Sequence, residues 1–157
     1  MTAPASVKDA FQEGLRALAQ EHVELAVERL GLAADGAPDD ATVHAFLATA
    51  LFAAARPDAA EVAIDRALEL APAAYWPNLK AGELRLRLGD AGAAAEHFLA
   101  AVRAVEPGSA DATAAQLALV RARREVAQAI NHRAVLPRFR WLPGRRRPAV
   151  SRGGGDR

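Results

Sequence analysis

Four histidines, His22, His44, His97 and His132, are the natural candidates for proton transfer or metal ligation in this chain. They are dispersed, and no pair shows the close helical spacing of a motif such as HExxH. A zinc or iron centre needs several convergent ligands, and the absence of any cysteine removes the thiolate option and with it any disulfide framework. The three serines, Ser6, Ser109 and Ser151, fall at expected helix starts or in the C-terminal segment, and none belongs to a nucleophile motif. Gly153-Gly154-Gly155 lacks the strand before it and the helix after it that a phosphate loop requires. The acids fall mostly on expected exposed helix faces, where charge is solvating. The reading is therefore of a protein that is not an enzyme and takes no cofactor or metal.

A second chemistry is suggested near the C-terminus. The run LPRFRWLPGRRRP interleaves Arg138, Arg140, Arg145, Arg146 and Arg147 with Phe139 and Trp141. Guanidinium groups beside stacking rings suit single-stranded nucleic acid, and the same mixture suits an anionic membrane surface. Folding back onto the body, or simple solvation, are the competing uses. From Arg133 onward there are eight arginines and one acid, net +7, whereas residues 1–132 hold 12 basic and 18 acidic groups, net −6. An acidic body repels phosphates, and no nucleic-acid-binding motif accompanies the short Arg cluster, so nucleic acid ranks below the other uses.

The elements that must carry these residues follow from a fixed step of 34. Gly14, Ala48 and Gly82 form one column, and Ala26, Ala60 and Ala94 a second. Leu30, Ile64 and Phe98 form a third, and Ala33, Ala67 and Ala101 a fourth. Pro38 and Pro72 keep the same register, and Pro107 falls one residue late. Such a register is what stacked helical hairpins need, because each presents the same small and large side chains to its neighbour. Hydrophobic residues make up 52% of the chain but aromatics only 5%, so the core must be built from Ala, Leu and Val, which favours closely packed helices. The pattern predicts six paired helices, about 7–20 with 23–35, 41–54 with 57–70, and 76–88 with 91–105. Pro57 and Asp90 suit the starts of second helices, and Ser109 suits the N-cap of a seventh helix over about 110–132. Ala115, Leu119, Ala122, Val126 and Ile130 form one apolar stripe along that helix.

With these columns on the page, the chain resembles the tetratricopeptide family. The best match is AGELRLRLGDAGAAAEHFLAA, with Gly82, Leu88-Gly89-Asp90, Ala94, Phe98 and Ala101 at the family's small, turn, small, large and small positions. The second repeat keeps Leu47, Ala48, Leu51, Ala60, Ile64, Ala67 and Pro72, and the first keeps Gly14, Ala26, Leu30, Ala33 and Pro38. Glu13 and Ala81 replace the family's usual Leu, and Arg85 stands where an aromatic is common. The resemblance implies an all-α solenoid of three hairpins, about 7–40, 41–74 and 75–108, plus a capping helix, within a domain over 1–132. A basic, flexible tail follows over 133–157.

The resemblance also implies a site. In this family the first helix of each pair lines a concave groove. Mapped onto this chain, that face comprises Lys8, Phe11, Leu15 and Leu18, then Thr42, Ala45, Thr49 and Phe52, then Leu79, Glu83, Leu86 and Arg87. The Lys, Asn and Arg clamp with which some members hold a terminal carboxylate is absent, since the second repeat offers Thr and Ala. A mostly apolar groove suits an amphipathic helix or a hydrophobic peptide of a partner protein. The competing reading has Phe11, Phe52 and Leu86 completing the core. The expected function is an adaptor or scaffold, with a scaffold tethered by its tail as the alternative. Self-association through an open end of the stack is a third possibility, and the oligomeric state is left open. No apolar run approaches the roughly 18 residues that span a bilayer and residues 1–8 resemble no export segment, so the expected location is cytoplasmic. The excess of Ala and Arg suggests a GC-rich bacterial genome.

Overall fold

The computed structural model describes residues 6–135. Seven helices follow one another: α1 (Val7–Ala19), α2 (Val23–Gly36), α3 (Ala41–Ala53), α4 (Pro57–Leu70), α5 (Tyr75–Arg87), α6 (Ala91–Arg103) and α7 (Ala110–Val135). Strands are absent among the described residues. α7 continues to Val135, past the end expected near residue 132. Arg138, Phe139, Arg140, Trp141 and Arg145–Arg147 lie outside the described residues.

Four of the seven described helices start on a side-chain cap. The Ser6 hydroxyl accepts from the Asp9 amide at 3.1 Å, and Asp40 accepts from Thr42 and Val43. Asp90 caps α6 through the Ala93 amide at 3.0 Å, and Ser109 caps α7 through the Ala112 amide at 3.1 Å. Pro57 occupies the first turn of α4, where a missing N–H costs no hydrogen bond.

The four columns become the hairpin interfaces. Leu30, Ile64 and Phe98 are buried to 1% exposure or less, and so are Ala26, Ala60 and Ala94. The small positions are forced by distance. A Cβ on Gly14 would stand 2.5 Å from Leu30 Cγ, and one on Gly82 would stand 2.5 Å from Phe98 Cε1. The wedge of the second helix therefore fills the volume that the first helix leaves empty. α1 touches α3, and α3 touches α5, whereas α2, α4 and α6 make no comparable contact with one another. First helices thus form an inner layer and second helices an outer one.

Two local devices repeat with the array. Glu21, Ala55 and Gly89, again 34 apart, all have left-handed backbone with φ of 59°, 57° and 84°. In each turn the next amide reaches back to the first helix: His22 to Ala17, Arg56 to Leu51 and Asp90 to Arg85, all at 2.9 Å. This is the Schellman closure, which favours glycine at the left-handed position. Only the third hairpin has it. The second device lies between hairpins. His44 Nε2 donates to the Pro38 carbonyl at 2.9 Å, and one repeat later Asn78 Nδ2 donates to the Pro72 carbonyl at 2.8 Å and to Ala74 at 2.9 Å. Asn78 is 2% exposed, and its Oδ1 faces His97 Nδ1 at 3.3 Å. An amide oxygen only accepts, so the proton of this bond sits on Nδ1.

Burial, and then the nearby Arg85 guanidinium, hold His97 below its ordinary value of 6.5. The unfolded chain therefore takes up a proton first as pH falls. The contribution is fully present above about pH 6.5 and is lost as pH falls from there toward the depressed folded value. Thermal melts between neutral and mildly acidic pH should show His97→Gln losing less stability than the parent over that window. A difference between the two proteins that stays constant with pH would contradict this account.

Packing yields a second set of outcomes. Gly82→Ala and Ala60→Leu should each cost about 1–3 kcal/mol by overpacking, despite the better helix propensity of the new residues. Ala55→Gly should stabilise by about 0.5–1 kcal/mol, because relief of left-handed strain exceeds the added freedom of the unfolded chain. Urea titration of all three reads both signs.

Candidate peptide-binding groove

The inner layer exposes one strip of each first helix. A helix advances about 100° per residue, so positions four, three and four apart share a face. In α3 these are Thr42, Phe46, Thr49 and Ala53, and in α5 they are Trp76, Lys80, Glu83 and Arg87. The two sets are related by the same step of 34, and Leu15 and Ala19 extend two of the columns into α1. Leu15, Leu18, Ala19, Phe46, Thr49, Ala53, Lys80 and Arg87, with Glu21 and Val23 from the α1–α2 turn, line a groove of about 680 Å³. It continues toward α7 as a further space of about 400 Å³ between Glu83, Leu86, Arg87, Arg121 and Glu125.

The groove collects the chain's scarce rings. Phe11 meets Phe46 edge-on at 5.7 Å, and Phe46 meets Trp76 at 5.1 Å. Tyr75 supports Trp76 at 4.9 Å. Lys80 Nζ lies 5.1 Å above the Phe46 ring and 2.9 Å from Glu83. Further along α3, the Arg87 guanidinium lies 5.7 Å from the Phe52 ring. Four of the six described aromatic residues (Phe11, Phe46, Phe52 and Trp76) are thus in or beside the groove and incompletely buried. Phe98 alone is a fully enclosed wedge.

Of the residues expected on this face, Leu15, Leu18, Thr49, Glu83, Leu86 and Arg87 line the two spaces. Phe52 lines a narrow cleft between α3 and α5 with Thr49, Glu83 and Arg87. Phe11 supports Phe46 from the side. Lys8 is exposed in the first turn of α1 and Thr42 half-buried at the start of α3, and neither lines these spaces. Ala45 and Leu79 do not belong to the face. Ala45 is 0% exposed in the cluster with Ala63 and Ile64, and Leu79 is 7% exposed in the cluster with Phe98 and Ala101. Each sits three residues after the face begins, one rotation too early, and turns toward the second helix of its own hairpin. The residues in their place are Phe46 and Lys80. Trp76, Ala53, Arg121 and Glu125 also escaped the sequence reading, although the step of 34 relates Ala53 to Arg87 and Arg87 to Arg121. The groove is also less uniformly apolar than expected: its α1–α3 part is mostly apolar with Glu21 at its rim, and its α5–α7 part carries five charges.

Elsewhere the histidines stay apart. His44 and His97 hold the turns described above, and His22 stands exposed between α1 and α2. Among the described residues no three His, Cys, Asp or Glu side chains converge as a metal site. Among the same residues, no helix is long and apolar enough to cross a membrane.

No protein-family model matches the sequence, and no curated protein does. Solved structures do. The Sgt2 TPR domain from Aspergillus fumigatus superposes with a TM-score of 0.69 at 19% identity, covering 98% of this chain and 94% of that one. The first TPR domain of human RPAP3 has a TM-score of 0.69 at 18% identity, over 82% of this chain and 98% of that one. The TPR2B domain of yeast Sti1, solved as a complex with pHsp70, has a TM-score of 0.67 at 19% identity, over 78% and 99%. With three hairpins in one register, an inner layer of first helices and a seventh helix closing the array, the fold of this chain is that of the tetratricopeptide-repeat domains.

Proposed function

We propose that this protein is an interaction adaptor whose concave groove takes a segment of a partner protein. The observation that carries the reading is the placement of Phe46, Phe52 and Trp76. A chain that packs its core with alanine has placed its rings on an open, inward face. Incompletely buried aromatics beside arginine are the residues from which binding hot spots are made. Trp76, held between Tyr75 and Phe46, keeps 38% of its surface open there. Similar folds support the same use: the first TPR of Spaghetti (RPAP3) was solved bound to the HSP90 peptide SRMEEVD, and the Sti1 domain with pHsp70. The groove of this chain pairs two of its cations with its own acids, Lys80 with Glu83 and Arg121 with Glu125, and sets them beside Leu15 and Leu18, which suits a segment with an apolar side.

A tether through the Arg-rich residues 133–157 is the second reading, and its support is the +7 charge of that segment. The two readings separate by experiment. Phe52→Asp and Leu86→Asp, each checked for a native circular dichroism spectrum, should abolish recovery of crosslinked partners, while deletion of residues 134–157 should leave it intact. Folded Asp variants that retain their partners would exclude the groove, and loss of localisation on deletion alone would favour the tether.

A further inference from the structure

The geometry points to the kind of segment the groove selects: an apolar stretch carrying an internal Asp or Glu side chain that pairs with Arg87. This inference rests on the groove being the binding site, and it concerns what that site recognises. Three cations line the groove. Lys80 is held by Glu83 at 2.9 Å, and Arg121 by Glu125 at 3.4 Å. Arg87 makes no ion pair among the described residues. Its side chain is exposed, with the guanidinium 5.7 Å from the face of Phe52. A ring at that distance orients a guanidinium without occupying its N–H donors, which stay open to a carboxylate. The ligand must also be apolar on one side, because Leu15, Leu18, Phe46 and Ala53 form the adjoining bed.

Position decides where the carboxylate resides. Arg87 lines both the space of about 680 Å³ toward α1 and the space of about 400 Å³ toward α7. A segment lying along the groove therefore has chain on both sides of Arg87. A terminal carboxylate would end the ligand at mid-groove and leave half of it empty. A side-chain carboxylate within a continuous segment avoids that truncation, and Glu83 and Glu125, already paired with Lys80 and Arg121, leave Arg87 as the cation open to it. The chain's own Arg-rich C-terminal residues have the wrong sign for Arg87, so the occupant belongs to another protein.

The test is selection of random linear peptides displayed on phage against the full chain, followed by titration of synthetic copies by fluorescence anisotropy. Selected sequences should combine apolar residues with an internal Asp or Glu. Free-acid and amidated C-termini should bind alike. Arg87→Glu should weaken binding on the order of tenfold, and changing the peptide's acid to Lys should restore it. Peptides lost on Trp76→Ala but indifferent to Arg87→Glu would leave the groove standing and overturn the acidic requirement. Binding that demands a free C-terminal carboxylate would overturn the internal placement. Peptides indifferent to both substitutions would remove the groove reading and this inference together.

Discussion

One contact governs the molecule: a large side chain of each second helix seated on a missing side chain of the first. Leu30 rests on Gly14 and Phe98 on Gly82, in each case where a Cβ would come within 2.5 Å. Ile64 fills the corresponding place beside Ala48 in the middle hairpin. The wedge is Leu, Ile and Phe in turn, and the position opposite is Gly, Ala and Gly. Each interface sets one large side chain against a small or missing one, as close packing requires. Because the same contact recurs every 34 residues, the hairpins stack by translation, and first helices meet first helices.

That economy explains where the aromatic residues are. Hairpins that interlock through alanine and one wedge have little room for rings. The ring-bearing positions are therefore found where helices diverge, on the inner face. Phe46 and Trp76 stack across the α3–α5 gap at 5.1 Å, and Lys80 caps both rings. This cluster binds neighbouring first helices together and also furnishes the bed on which a ligand would lie. The stability of the groove floor and its recognition chemistry come from the same side chains.

The repeat, the helices and most caps were legible in the sequence because each rests on a local rule or a strict period. Pro57, Asp90 and Ser109 announce helix starts by their own chemistry. What the sequence hid were features set by rotation and by carbonyl geometry. Ala45 and Phe46 are neighbours in a helix that is apolar on nearly every side, so periodicity could not tell which one faces the groove. Asn78 and His44 share no side-chain class, yet both hold the Pro carbonyl six residues before them. Glu21 and Ala55 occupy left-handed positions that only Gly89 advertises. Arg121 carries no local signal that marks it as a groove residue, and it lines the end of the groove with Leu86 and Arg87.

α7 is the last helix among the described residues. α7 buries one narrow stripe, Ala112, Ala115, Leu119 and Ala122, against α6. The stripe read from the sequence continues through Val126 to Ile130, yet Ile130 is 61% exposed, because α6 begins only at Ala91 and offers nothing beyond that level. Leu117 and Val120, on the other faces of α7, are 67% and 64% exposed. Among the described residues α7 therefore resembles a first helix without a second helix beside it. Among the described residues its hydrogen bonding to α5 is one bond, from the Tyr75 hydroxyl to the Asp111 carbonyl at 3.3 Å. The wall of the groove that carries Arg121 and Glu125 thus stands on the least supported helix of the fold. Alanine at three of its four buried positions lets that helix lie close to α6, which compensates in proximity for what it lacks in buried area.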